Sequence, residues 1–474
     1  RSFRSIRSKH GSPVKSRCSH DPGHDRVFDA LHIRTFNQHG SCLAAQVKNM
    51  HSTPFVFAGG EKEYTGSIPC ANLLKIVKRA DNRNTNSSFE YINKKLISSL
   101  ESQSFRELIS SSDKALIICD DITRPTPASK ILPTVTKYLE HYGIELKDQF
   151  ILFANGSHRR MTDDEVLSKI GAELYGKIRW ANHDWTAKLK QIGTTATGIP
   201  VEVNPLLSEY KCIIGIGSVF PHRYCGWSGG GKIIIPGVSG PQTITRTHWL
   251  PYYDSSLTLG NPNNTAIDEI MSAAKMAGLS FLIQCICGGE GTLTDIFADT
   301  PEKAHKAAVQ KALSVTAVPV PPADVVIAQA WPEESDLWQA GKALYAAENA
   351  VKKGGSIIVT ASLKDGIGPH KIFAELIGAD METLLTYMHR HDSCGLAAAA
   401  AYVTRIVKNK ASVTFISDSR YSDEIASLTG FKLCSSLQVA IDRLLEYNHS
   451  LTFSVLHEAP LILPIPQGRD FSNA

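Results

Sequence analysis

Two histidines, two lysines, an arginine and an aspartate stand in short motifs whose residue types suit proton transfer and anion binding. DDITRPTP (120–127) holds Asp121 and Arg124, NGSHRRMTDDE (155–165) holds His158, and PHRYCGWSGGGKIIIPG (221–237) holds His222, Ser228, Gly229, Gly230 and Lys232. Imidazole gains and loses a proton near neutral pH, which suits His158 and His222 to acid/base work. The Arg124 guanidinium offers a planar fork to a carboxylate or phosphate. Consecutive glycines let backbone amides approach an anion, and Lys232 adds charge beside them. His248 follows in GPQTITRTHWL. In SDLWQAGKALYAAENAVKKGG (335–355), Gln339 and Lys342 are three apart and share a helical face, with Trp338 one turn from Lys342.

Each motif also has a plain structural reading: a capped turn with a local ion pair, a turn histidine, a solvated helix with a snorkelling lysine. What separates them from that reading is position. The strand-like runs ALIICDD, FILFAN and KCIIGIG lead directly into the first three motifs. The ionisable residues therefore fall at carboxyl ends of strands, where open α/β sheets bind ligands. Gly226 and Gly231-Lys232 nearly complete a Walker loop, but Ile233 stands where a magnesium-binding Ser or Thr is required. A nucleotide-binding or ATP-hydrolysing protein is thus the weaker alternative. His158, His222 and His248 open a second alternative, a zinc-dependent hydrolase, since imidazole suits Zn, Ni, Cu and Fe. Their spacing, without an HExxH, does not establish shared coordination. A degenerate member that binds a ligand without catalysis is a third reading, opposed by the presence of every motif histidine and of Lys232.

The elements that would position these residues follow from periodicity. From Thr53 onward, β-rich apolar runs alternate with helical periods, which predicts an α/β fold of two domains, each a mostly parallel sheet flanked by helices. Strands are expected at 115–119, 148–154, 211–217 and 280–286, then at 324–329, 355–361 and 412–417. Helices are expected at 127–143, 162–171 (with Thr162 and Glu165 as a capping box), 336–353, 393–408 and 437–447. SVTAVPVPPAD (314–324) breaks a helical pattern with three prolines and is the linker candidate. The expected division is a disordered basic tail over 1–54, a catalytic and cofactor-binding domain over 55–313 and a C-terminal domain over 323–462, with the active site in the cleft between the two domains.

Composition narrows the classes. At 474 residues the chain exceeds what one core usually supports. Its 43% hydrophobic and 20% charged residues are ordinary for a globular protein, and a net charge of +4 is too small to imply a nucleic-acid partner. No apolar run reaches the roughly 20 residues needed to span a bilayer. The ten cysteines form no CxxC, Cys285 and Cys287 read as buried reduced thiols, and no secretory pattern is visible. A cytoplasmic protein is the expectation. The Arg- and Ser-rich start could also be a transit peptide, but it lacks the apolar residues of an amphipathic helix.

Taken in order, DxxR, GSHR, PHxxxGxSGGxK, TIxxxH and QxxK resemble the lactate racemase family, which uses a nickel-pincer nucleotide. The resemblance spans about residues 60 to 460 and is densest at 221–248. It implies that Lys232 tethers the pyridinium mononucleotide through a thioamide, that His248 ligates nickel, and that His158 and His222 are the acid/base pair. It places Asp121, Ser228, Gly229 and Gly230 near the cofactor and assigns Arg124, Trp338, Gln339 and Lys342 to the substrate. The implied reaction is racemisation or epimerisation of a 2-hydroxy acid, lactate or a related one, by proton-coupled hydride transfer, with cofactor-biosynthesis proteins as partners. Three departures stand out. Gly231 replaces an arginine common in the best-known members, and Trp338 replaces a tyrosine. The family's pocket tryptophan finds only Cys394 or Tyr402 in HDSCGLAAAAAYVTRI (391–406).

Overall fold

The computed structural model describes residues 51–78, 88–262, 264–288 and 292–466. The expected basic tail lies outside these except for its last four residues, where Ser52–Pro54 open the first strand. Strands β1 (Ser52–Phe57) and β2 (Tyr64–Pro69) form an antiparallel pair, and β3 (Leu73–Val77) follows.

The first large sheet uses β4 (Ala115–Asp120), β5 (Gln149–Ala154), β6 (Arg179–Asn182), β9 (Cys212–Ser218), β12 (Phe281–Cys287) and β13 (Leu293–Asp299). Two small ladders intervene in the chain: β7 (Lys190–Thr194) with β8 (Pro200–Val203), and β10 (Pro221–His222) with β11 (Gly226–Trp227). Spatial order in the large sheet is β13-β12-β9-β4-β5-β6, parallel throughout except at the β12–β13 edge. Every residue of β4 is buried, as a parallel strand covered on both faces demands. Its alternate side chains serve two cores. Ile117 and Cys119 pack with residues of helices Phe89–Leu100 and Ala128–His141, while Leu116 and Ile118 pack with Ile270 and Ala273 of helix Thr265–Met276. Burying one such aliphatic side chain contributes about 1.5–3 kcal/mol, so the central strands are firm anchors for the loops at their ends.

The second sheet comprises β15 (Ala323–Gln329), β16 (Val351–Thr360), β17 (Ser412–Ile416), β18 (Lys432–Cys434) and β19 (Phe453–Leu456), with β3 at its edge. Its order, β18-β17-β16-β15-β19-β3, is fully parallel. Helix Ser393–Lys410 lies against it through Ala397–Ala401, whose small side chains permit a close approach. Helices Leu337–Ala350 and Leu437–Tyr447 fall where periodicity puts them. Segment 314–324 ends helix Pro301–Thr316 and leads through β14 (Ala317–Val320), which pairs with β20 (Leu463–Pro466), into β15 of the second sheet. One region differs from expectation. Leu73–Val77, counted above with the first region, is hydrogen-bonded into the second sheet beside β19.

No described helix is long and apolar enough to cross a membrane.

Candidate active site

In the first sheet the chain runs outward from β4 through β5 to β6, then returns to build β9, β12 and β13 on the other side of β4. The boundary between β4 and β9 is therefore a topological switch point, where the loops leaving the two strands part and open a crevice. The second sheet has the same feature between β15 and β19. One cavity is lined from both: by Asp121, Arg124, His158, His222 and Lys232 after strands of the first sheet, and by Trp338, Gln339, Lys342 and Pro460 after strands of the second. Ser228, Gly229 and His248 line it too. Every residue that the family resemblance assigns to cofactor, metal, substrate or proton transfer lines it except Gly230.

His158 Nδ1 lies 2.7 Å from Asp121 Oδ2. Burial alone would raise the Asp121 carboxyl, but His158, Arg124 and the Thr123 hydroxyl outweigh it and hold it well below the usual carboxylate range. The ion so maintained keeps the proton on Nδ1 and leaves Nε2 as the reactive nitrogen. The loop carrying Asp121 is itself fixed by Lys169, whose Nζ donates to the Asp121 and Arg124 carbonyls at 2.9 and 3.1 Å and pairs with Asp120 Oδ1 at 2.8 Å.

His222 has the opposite environment. Burial, then Lys232, Arg124, His248 and Lys342, push its pKa well below the ordinary histidine value, so it is neutral. The Tyr224 amide donates to its Nδ1 at 3.2 Å, and Lys232 Nζ lies 3.2 Å from its Nε2. Burial lowers the Lys232 pKa from the ordinary lysine value, Cys225 opposes that fall, and Arg124 adds to it.

The glycines bring this amine to the cavity. Gly229 has φ +78°, and a Cβ there would stand 2.2 Å from Gln284 Oε1. That same oxygen accepts from the Gly230 amide at 2.7 Å, so Gly230 braces the loop and does not offer its N–H to a ligand. The Ser228 hydroxyl is likewise engaged, donating to the Ser218 carbonyl at 2.9 Å and accepting from the Phe220 amide at 2.8 Å. At Gly231 a Cβ would lie 2.7 Å from the Ile270 carbonyl oxygen and 2.9 Å from Ala274 Cβ. Helix Thr265–Met276 occupies the space in which an arginine would begin.

His248 ends helix Pro241–His248, and its Nδ1 donates to the Ile244 carbonyl at 2.8 Å. This fixes the tautomer with the lone pair on Nε2, the arrangement that metal-bound histidines adopt. Burial, followed by Lys232, lowers its pKa to about 4, so Nε2 remains an available donor at neutral pH. The Tyr224 ring stands between the two histidines, 5.6 Å from His222 and 5.0 Å from His248. Among the described residues no three His, Cys, Asp or Glu side chains are placed to share a metal ion, so the zinc-hydrolase alternative lacks its ligand set. A lysine whose charge is opposed by burial, beside one histidine with an oriented lone pair, fits a metal that arrives within an organic group bound to the lysine.

Across the cavity, Arg124 Nη1 and Lys342 Nζ approach one carboxylate oxygen, Glu333 Oε1, at 3.7 and 2.7 Å. Glu333 and Lys169 were not singled out from sequence. Trp338 packs on Phe373 at 4.9 Å and on His370 at 4.6 Å, and Phe373 with Ala400 adds apolar lining. Neither Cys394 nor Tyr402 is among the lining residues. Tyr402 instead packs on Trp249 and Tyr252, with ring centroids 6.0 and 5.5 Å apart.

Comparison with known proteins agrees along most of the chain. A family model described as the lactate racemase N-terminal domain matches residues 60–260, and one described as the lactate racemase C-terminal domain matches 318–455. The lactate racemase of Thermoanaerobacterium thermosaccharolyticum is 28% identical over 320 residues, covering 65% of this chain and 74% of that protein. That of Lactiplantibacillus plantarum is 28% identical over 326 residues, covering 68% and 75%. The fold resembles the solved lactate racemase apoprotein of T. thermosaccharolyticum with a TM-score of 0.79 at 23% identity, over 87% of this chain and 99% of the other. It also resembles a Thermotoga maritima protein with a TM-score of 0.63 at 19% identity, over 79% and 97%.

Proposed function

The chain belongs to the lactate racemase family, and from that premise we propose that it is an isomerase that racemises or epimerises a 2-hydroxy carboxylic acid, lactate or a close relative, at the cavity between the two sheets. The observation that carries the reading is the meeting at one cavity of two differently set histidines, the lysine that ends the glycine run and a pair of cations.

A nickel-pincer nucleotide attached through Lys232, with His248 Nε2 as its protein ligand, would supply a reversible two-electron acceptor for the C2–H bond. The protein's own groups do the rest. Arg124 and Lys342 seat the substrate carboxylate and Gln339 adds an amide beside them, which holds C2 in one place and removes much of the entropic barrier. His158 Nε2 takes the proton of the C2 hydroxyl as that carbon becomes trigonal, while Asp121 steadies the imidazolium that forms. His222, kept neutral by burial and the neighbouring cations, would be the counterpart of His158 for the opposite enantiomer. Trp338, Phe373 and Ala400 keep water from the planar keto acid, so the hydrogen is restored before product leaves. Cofactor-biosynthesis proteins would be needed to mature Lys232.

The test is coexpression with cofactor-making enzymes, followed by intact mass, nickel content and a chiral assay over a panel of 2-hydroxy acids. A mass adduct on Lys232, nickel, and interconversion of at least one acid are expected. An unmodified Lys232 with no nickel, or a loaded protein that interconverts none of the acids, would sink the proposal.

A further inference from the structure

Glu333 lies on the loop between β15 and helix Leu337–Ala350, and its side chain is only 10% exposed. It is not among the residues lining the cavity, whereas both cations it approaches are. Its Oε1 is 2.7 Å from Lys342 Nζ and 3.7 Å from Arg124 Nη1. At 2.7 Å the Lys342 contact commits one ammonium N–H at most, and the 3.7 Å approach to Arg124 is an ion pair beyond hydrogen-bond distance. Each cation therefore keeps N–H donors for a ligand while its charge is balanced from behind.

Such a balance is needed. Two cations brought together in a buried wall repel each other and lose hydration, and the lysine is the one able to escape by releasing its proton. The groups facing Lys342 are Glu333, Asp336 and Arg124, and Lys342 in turn acts on His222. Asp336 caps the helix by accepting from the Gln339 amide at 2.8 Å, and burial raises its own pKa to about 6, so it is the lesser counter-charge. Burial lowers Lys342 to about 8, with Glu333 the strongest group opposing that fall.

We propose that Glu333 is a positioning residue: its carboxylate holds the Lys342 ammonium beside the Arg124 guanidinium, so that together they form the seat for the substrate carboxylate. This rests on the racemase reading only for the identity of the ligand. Glu333 reaches neither substrate nor reacting atoms; it acts through the two cations.

The experiment is calorimetric titration of L-lactate into the cofactor-free full chain between pH 6 and 9.5, for wild type, Glu333→Gln and Glu333→Asp. Wild type is expected to bind, with affinity falling as pH rises through about 8. Glu333→Gln should bind at least tenfold more weakly at pH 7.5, with the fall displaced to lower pH, and Glu333→Asp should recover most of the loss. In cofactor-loaded protein the same substitution should raise KM far more than it lowers kcat. Equal affinity and an equal pH midpoint in wild type and Glu333→Gln would overturn the proposal, as would a wild type that does not bind lactate. Lactate binding of the expected pattern in a loaded protein that fails to racemise would instead overturn the racemase reading alone.

Discussion

His158 Nδ1 and Asp121 Oδ2 stand 2.7 Å apart, an imidazole and a buried carboxylate contributed by loops after adjacent parallel strands. On the proposed reading the pair follows the logic of catalytic histidines whose tautomer and orientation are set by a buried acid. Asp121→Asn keeps the shape and removes the charge. In the chiral assay it should lower kcat about a hundredfold or more with little change in KM. A rate within threefold of wild type would leave Asp121 without the orienting role.

Lys232 makes a second, independent prediction. Burial works against a charge at Lys232, so the position should tolerate loss of charge better than permanence of charge. Lys232→Met should hold or raise the melting temperature of cofactor-free protein, and Lys232→Arg should lower it, by about 2–4 kcal/mol of stability. Thermal scans of the unloaded variants check this. The reverse order would mean that the lysine is an ammonium with a counter-charge.

Gly231 bears on the departure from the family pattern. Restoring arginine there looks from sequence like restoring a charge near a phosphate. The backbone of helix Thr265–Met276 makes it an overpacking substitution instead. Gly231→Arg should cost about 1–3 kcal/mol and reduce cofactor loading, and Gly231→Ala should show part of the same loss. Denaturant titration of both variants decides, and an unchanged midpoint for Gly231→Arg would refute the packing argument.

Buried neutral histidines should make the fold sensitive to acid. Burial, followed by Lys232, lowers His305 to about 4, and burial lowers His370 and His457 to about 4 as well. Between about pH 6.5 and 4 the unfolded chain binds protons at these rings that the folded chain does not, so stability falls as pH drops through that window and is unaffected by them above it. His305→Gln should flatten the decline by about 1–3 kcal/mol across the window. Melting temperatures from pH 7.5 to 4.5 check the slope, with the value at pH 7.5 as each variant's own reference.

Much of this site was legible in the sequence because strand ends are local. ALIICD, FILFA and CIIGIGS read as buried strands, and Asp121, His158 and His222 had to emerge where those strands stop. The capping box at Thr162 and Glu165 fixed the start of the next helix in the same way. Partnership across the fold was not legible. Nothing near Arg124 announces Glu333, and a glutamate before a helix reads equally well as a solvated charge. Periodicity records which face of an element is buried and not what covers it, which is why β3 could not be assigned to β19. The glycine triplet looked uniform, yet Gly229 lines the cavity while the amide of Gly230 is taken by Gln284, an ordinary strand residue in the sequence.

Arg124 leaves the first sheet and Lys342 the helix that follows β15 in the second, yet both turn toward one carboxylate oxygen. On the proposed reading, a three-carbon acid seated between them becomes a strut joining two six-stranded halves. Occupancy should then be felt as stiffness well away from the chemistry. Slower amide exchange on both sides of the cavity when substrate is present would register a molecule far smaller than the parts it ties together.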